Sequence, residues 1–232
     1  MNSKRLGLLS LFAAVTLAFT TSAFGQELTT KQWRVFNINP DAPKLWDINK
    51  ARTDDHSQIG FTFPDVSSGW YAVYLNTNYG DLTDKSTISV TASWTPSTAY
   101  KNRGTDPLDP GAYFRVYFQS AQGNYPSSDY WWSAFRCDLN TANTCTFTVD
   151  LNDRAAWSNL CGKFATDTNS YAGGNCVGGT DPGTSPYDGF TNAKRGIKDI
   201  GLSFGRAARF ASGVANGGTG TATFTLTSYF VQ

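Results

Sequence analysis

The residues best placed to do chemistry lie where aromatic and polar side chains alternate. In GAYFRVYFQS (111–120), Tyr113, Arg115, Tyr117 and Gln119 occur at every second position, so on an extended strand they share one face at intervals of about 6.6 Å. Flat rings beside planar hydrogen-bonding groups suit a sugar: C–H faces lie on the aromatics and hydroxyls meet Arg, Gln or Asn. Trp70, Tyr74 and Asn76 in GWYAVYLNTN form a second row of the same kind. The competing reading is that both rows are cross-strand pairs covering the outside of a sheet and binding nothing. DYWWSAF (129–135) adds Tyr130, Trp131 and Trp132; on a strand one Trp must enter the core and the other must face away, and the sequence leaves the register open.

Other chemistries find less support. GLSFG (201–205) matches the G-x-S-x-G nucleophile pattern at Ser203, but that elbow needs a strand, turn and helix in a parallel sheet, with its His later in the chain. Here the sole His, His56, precedes Ser203, and Ile200, Leu202 and Phe204 alternate as an ordinary strand. A glycosidase pair of carboxylates would have to come from Asp residues that mostly sit in turn contexts, such as Asp106-Pro107 and Asp181-Pro182. No catalytic residue, metal ligand or cofactor is assigned.

Four cysteines, Cys137, Cys145, Cys161 and Cys176, fall in one short window with no C-x-x-C pair, which in an exported chain reads as two disulfides rather than a metal site. Three pairings exist. Cys137–Cys145 with Cys161–Cys176 is preferred because each bond closes a local loop.

The elements that must position these residues are strands. A single Glu, Glu27, and a single Met leave few of the residues that fill helix surfaces. Period-two alternation runs through Ile88, Val90, Ala92 and Trp94, through Phe114, Val116 and Phe118, and through Ala222, Phe224, Leu226, Ser228 and Phe230. Further strands are expected at Trp33–Ile38, Ile59–Phe63, Trp70–Asn76, Tyr130–Phe135, Cys145–Leu151 and Lys198–Phe204. Short helical turns are expected at Asp153–Leu160 and Gly189–Gly196. Gly, Pro, Asn and Asp punctuate the strands, and Gly162–Asp188 reads as a long loop tied by Cys176. The sum is an all-β protein, a two-sheet antiparallel β-sandwich of jelly-roll type.

Lys4 and Arg5, the apolar run from Leu6 to Phe19 and the small-residue site Ala23-Phe24-Gly25 form a signal peptide over 1–25, leaving 26–232 as one domain. The expected location is secreted or periplasmic, without a membrane anchor. The absence of an N-x-[ST] sequon favours a bacterial origin. Losing Lys4 and Arg5 from 19 basic residues against 18 acids leaves a nearly neutral chain, which argues against nucleic acid as a partner reached through bulk charge.

The ending KDIGLSFG, a Gly-rich turn and GTATFTLTSYFVQ, together with DLTDKSTISVTASW and GAYFRVYFQS, resembles the strand pattern of galactose-binding-domain-like jelly-roll carbohydrate-binding modules. The resemblance covers about half of the chain beyond the leader. It implies a sandwich that binds glycan, usually without catalysis, and a structural calcium ion held in part by an Asp of the final strand. Thr227 and Ser228 occupy the nearest positions here and are poor calcium ligands. The leading expectation is therefore a non-catalytic protein whose partner is a polysaccharide or glycan. A structural or adhesive envelope protein and a small polysaccharide hydrolase are the rivals.

Overall fold

The computed structural model describes residues 26–27, 33–39, 42–47, 59–96, 99–103, 111–120, 130–159, 164–167, 188–206 and 212–232. The leader, His56, Cys161, Cys176 and most of the expected 162–188 loop lie outside them. The strands in chain order are β1 (Gln26–Glu27), β2 (Trp33–Asn39), β3 (Ala42–Asp47), β4 (Ile59–Thr62), β5 (Trp70–Gly80), β6 (Thr87–Trp94), β7 (Tyr100–Asn102) and β8 (Tyr113–Ser120). They continue with β9 (Tyr130–Ser133), β10 (Cys137–Asp138), β11 (Thr144–Asp150), β12 (Trp157–Asn159), β13 (Ile197–Gly205), β14 (Val214–Asn216) and β15 (Thr223–Val231). A 3-10 turn at Arg154–Ala156 and a helix α1 at Gly189–Lys194 fall within the expected helical turns, but Trp157–Asn159 of the first is strand β12, paired with β9.

These strands form two antiparallel sheets. The smaller runs β1-β15-β6-β11, with β4 also on β15; the larger runs β12-β9-β8-β13-β5-β14-β7, with β10 on β8, β2 on β5 and β3 on β2. The chain crosses repeatedly between the two sheets. This is the all-β antiparallel sandwich that the alternation implies. Ile88, Val90, Ala92 and Trp94 of β6 point inward with Phe224 and Leu226 of β15, and meet Phe114, Val116, Phe118, Ile200, Leu202 and Phe204 from the larger sheet in one core. Rings fill much of it: Phe61 stacks on Phe224 at 5.3 Å, and Phe204 meets Phe224 edge-on at 5.2 Å.

Two bulges correct the expected faces. The pairing of β15 with β6 shifts between Leu226 and Ser228, so Tyr229 and Val231 turn into the core while Ser228 and Phe230 are half-buried. On β5 the pairing with β2 skips a residue between Tyr71 and Val73. Tyr71 and Tyr74 therefore both enter the core, and Val73 faces away from it.

Two ties hold the edges. The Cys137–Cys145 disulfide forms as expected, and because Cys137 lies on β10 and Cys145 on β11 it joins the larger sheet to the smaller one. Arg154 gathers separate segments: its guanidinium donates to Thr191 Oγ1 at 3.0 Å, to Asp188 at 2.8 Å and to the Ala165 carbonyl. Ala165 and Asp188 lie near the two ends of the expected long loop. The same Asp188 caps α1 by accepting from the Thr191 N–H at 3.0 Å. Among the described residues no helix is long and apolar enough to cross a membrane.

Candidate functional site

The outer face of the larger sheet carries the polar and aromatic rows, and backbone register fixes which side chains adjoin. On β8, Phe114, Val116 and Phe118 point into the core, so Arg115, Tyr117 and Gln119 point to the outer face. Tyr117 stands opposite Trp132 of β9 on one side and Gly201 of β13 on the other. Gly201 in turn opposes Leu75 of β5, and Leu75 opposes Arg34 of β2. One row along, Arg115, Ser203, Val73 and Phe36 succeed one another; in the other direction Tyr130, Gln119, Asp199 and Thr77 do so. The sequence KDIGLSFG thus supplies Asp199, Gly201, Ser203 and Gly205 as the middle line of the face. Along this line Gly201 and Gly205 carry no side chain and Ser203 a short one.

The expected aromatic and polar row is present, but it is not solvent-facing. Tyr117 and Trp132 are each 3% exposed and cluster with Val73, packed by Phe36 and Tyr130 and separate from the main core. The rings of Tyr117 and Trp132 lie 5.0 Å apart; Tyr130 lies 6.3 Å from Trp132 at an interplanar angle of 19° and 6.3 Å from Tyr117. Arg115 is 6% exposed, and its guanidinium donates to the carbonyls of Ser133 at 3.5 Å and Arg206 at 3.4 Å. Gln119 is also buried and accepts from the Tyr117 hydroxyl at 3.0 Å. Alternation on β8 places these side chains on the outer face but cannot show that neighbouring residues cover it.

Tyr113 belongs to a separate stack at the strand end. Its ring lies where a side chain on Gly111 would clash, and the Arg136 guanidinium sits 4.6 Å above it. The expected row of Trp70, Tyr74 and Asn76 is split. Tyr74 is fully buried in the core, 4.8 Å from Trp33, because of the bulge before it. Trp70 is half-buried, with its Cβ against Gly213, and the side chain of Asn76 lies outside the described residues. The register also settles the two tryptophans: Trp131 is in the core against Phe190 at 5.0 Å, and Trp132 is on the outer face.

Residues that sequence reasoning missed complete the face. Asp199 is buried, and burial pushes its carboxyl above the usual range, while Lys198 and Arg34 pull it partly back. Burial raises the Tyr117 hydroxyl well above its ordinary value, with Tyr130 and Asp199 adding to the effect, so it stays a neutral donor. The indole Nε1–H of Trp132 is buried with no hydrogen-bond partner among the described residues. The alternation Asp199, Gly201, Ser203, Gly205 was legible as a strand face. Its meeting with Tyr117 and Trp132 was not.

Ser203 lies mid-strand in the antiparallel sheet, paired with Val73 and Arg115, so the nucleophile elbow is absent there. Among the described residues no group of three His, Cys, Asp or Glu gathers that could hold a metal ion, and Thr227 and Ser228 offer hydroxyls only. A cavity of about 660 Å³ opens beside β4, lined by rings of Phe61, Phe63 and Tyr71 with Asp65 and Ser68. It shares no residue with the outer-face cluster.

No protein-family model matches the sequence, and no curated protein matches it. Among solved structures the chain is similar to a xylan-binding module, CBM15, at 10% identity over 87% of this chain and 95% of that one, with a TM-score of 0.35. The chain is also similar to a marine algae virus of the order Picornavirales, at 10% identity over 100% of this chain and 82% of that one with a TM-score of 0.28. A third likeness is to the empty capsid of Triatoma virus, at 9% identity over 100% and 80% with a TM-score of 0.26. Overlaps of this size carry no argument about what this chain binds.

Proposed function

We propose that this protein binds a polysaccharide, without transforming it, through the outer face of its larger sheet. The observation that supports this most directly is the union of an aromatic group, Tyr117, Tyr130 and Trp132, with polar side chains of both hydrogen-bonding senses, Arg115, Gln119 and Asp199, around the line of Gly201 and Ser203. Tyr113, Tyr130 and Trp70, which keep part of their rings accessible, take the C–H faces of a sugar, while the buried Tyr117, Trp132, Arg115, Gln119 and Asp199 hold the face in shape. Tyr113 and Trp70 stand at the margins of the face; Tyr74 takes no part. Export through the leader at 1–25 to the periplasm or medium belongs to the same proposal, and the Cys137–Cys145 disulfide is compatible with it.

The test is a titration of the protein with a panel of soluble plant, fungal and bacterial polysaccharides, following tryptophan fluorescence and assaying the same samples for reducing ends. A spectral shift without new reducing ends is the expected result. Released sugar would overturn the non-catalytic reading, and silence across the panel would overturn binding.

One observation favours a second reading, a structural or adhesive role. Phe135 is 50% exposed while stacked on Phe147 at 4.8 Å, and Phe164 is 44% exposed, the kind of apolar exposure that contacts between proteins cover. Concentration-dependent self-association in sedimentation, abolished by Phe135→Ser, would support it.

A further inference from the structure

The cavity beside β4 stands apart from the outer face and is built from segments that backbone hydrogen bonds hold in place. β4 pairs with β15, Thr62 opposite Thr223 and Gly60 opposite Thr225, and the Phe63 N–H donates to the Ala222 carbonyl at 2.8 Å. The turn that follows is held at two points. The Asn216 N–H donates to the Pro64 carbonyl at 2.8 Å, and the Ser68 N–H donates to the Asp65 carbonyl at 2.8 Å. With a volume of about 660 Å³, the cavity falls within the range of small-ligand sites, roughly 300–1,000 Å³.

Its lining has three chemical parts. Phe61, Phe63 and Tyr71 form an apolar wall, and they pack on one another, Phe61 lying 4.9 Å from Phe63 and 5.2 Å from Tyr71, so the wall is preformed. Thr62 and Ser68, both exposed, bring hydroxyls. Asp65, also exposed, is the one charged side chain of the lining, and no cation among the described residues pairs with it. The Tyr71 hydroxyl makes no hydrogen bond to a described residue. Burial raises it above its ordinary value, so it stays a neutral donor.

A ligand that satisfies this lining needs an apolar face for the wall, an acceptor for the Tyr71 O–H and a positive charge for Asp65. An anion meets a lone carboxylate and is repelled. A sugar that carries an amine meets all three conditions: its C–H face lies against the rings, its hydroxyls exchange hydrogen bonds with Tyr71, Ser68 and Thr62, and its ammonium donates to Asp65. We infer that this cavity is a second binding site, independent of the outer face, for an amino sugar, a hexosamine with a free amine.

The experiment follows the amide NMR spectrum of the isotope-labelled intact protein at pH 6 while adding glucosamine, N-acetylglucosamine, glucose, glucuronate or choline. Glucosamine is expected to shift the amides of Thr62, Asp65, Ser68 and Tyr71 and to bind about two- to fivefold more tightly than glucose or N-acetylglucosamine, with glucuronate weakest. Asp65→Asn, an exposed change, should erase that advantage. Tyr71→Phe, which keeps the ring in the wall, should weaken glucosamine and glucose alike by about two- to tenfold. Shifts confined to other residues, or none with any probe, overturn the site. Glucose or glucuronate binding as tightly as glucosamine overturns the amine, and choline doing so overturns the sugar, since a cation alone would then suffice. Asp65→Asn is expected to leave the polysaccharide titration of the outer face unchanged, because the cavity and the outer-face cluster share no residue; a parallel loss would overturn their independence.

Discussion

Trp132 and Asp199 carry most of what is specific about the outer face. Replacing Trp132 by Phe keeps a six-membered ring in the cluster but removes the rest of the indole, including the Nε1–H, which has no partner among the described residues. The expected result is a stability lower by about 1–2 kcal/mol from the void left in the cluster and an affinity for the bound glycan lowered about two- to tenfold, of the order of one hydrogen bond. Unaltered affinity in the fluorescence titration would remove the indole from the site. Asp199 makes a prediction about pH. Burial raises its carboxyl in the folded protein above the unfolded value of 3.8, so the folded state holds the proton more tightly. Its contribution to stability is then fully present below the unfolded value and lost as pH rises through the folded one. Asp199→Asn should therefore raise the urea midpoint at pH 7 and change it little at pH 3; an equal change at both would contradict the assignment. Asp188 has the opposite sign. Burial pushes it up, but hydrogen bonds from Arg154 and Thr191 outweigh that and lower it, so its stabilisation is lost as pH falls through the folded value. At this scale the sequence was readable in kind: Arg115, Tyr117 and Gln119 stand on one face as their spacing implies. That they are buried, and that Asp199 and Trp132 join them, depends on strands distant in sequence.

At the scale of elements, close approach and bulges decide the outcome. Gly60 lets β4 lie against β15, since a Cβ there would fall 2.4 Å from the Phe224 carbonyl oxygen. Gly60→Ala should destabilise by about 1–3 kcal/mol in chemical denaturation, whereas an unchanged midpoint would show that β4 can shift at little cost. Gly213 combines a φ of +88° with a Cβ position 2.7 Å from that of Trp70, so both backbone and space require glycine there. The strands with clear alternation, β6, β8 and β13, were legible because apolar residues recur at every second position with a different chemistry between them, although both faces of β8 and β13 are buried. Short strands such as β7, β10, β12 and β14 were not, because two or three residues contain no period. The bulges in β5 and β15 were also hidden. A one-residue insertion reverses every side chain beyond it, and nothing local in WYAVY or TLTSY marks it; that is why Tyr74 is a core residue and Tyr229 replaces Phe230 inside.

For the whole molecule, the Cys137–Cys145 disulfide is the one cross-link beyond the backbone that joins the two sheets among the described residues. Replacing Cys137 and Cys145 together by Ser should cost about 2.5 kcal/mol by the loop-entropy estimate, seen as a lower thermal midpoint with the secondary structure retained. A change in glycan affinity at temperatures where the variant is folded would mean that the bond also sets the shape of the outer face. Composition and alternation by themselves determined that this is a β-sandwich and that aromatic and polar side chains share a strand face. Those properties follow from local spacing, because a strand repeats every two residues wherever it lies. Only the tertiary structure decided which strands adjoin. Register across β9, β8, β13, β5 and β2 brings Trp132, Tyr117, Gly201 and Arg34 into one row, and that register is set by the packing of two sheets around a shared core, a property of the whole chain that no window of sequence contains.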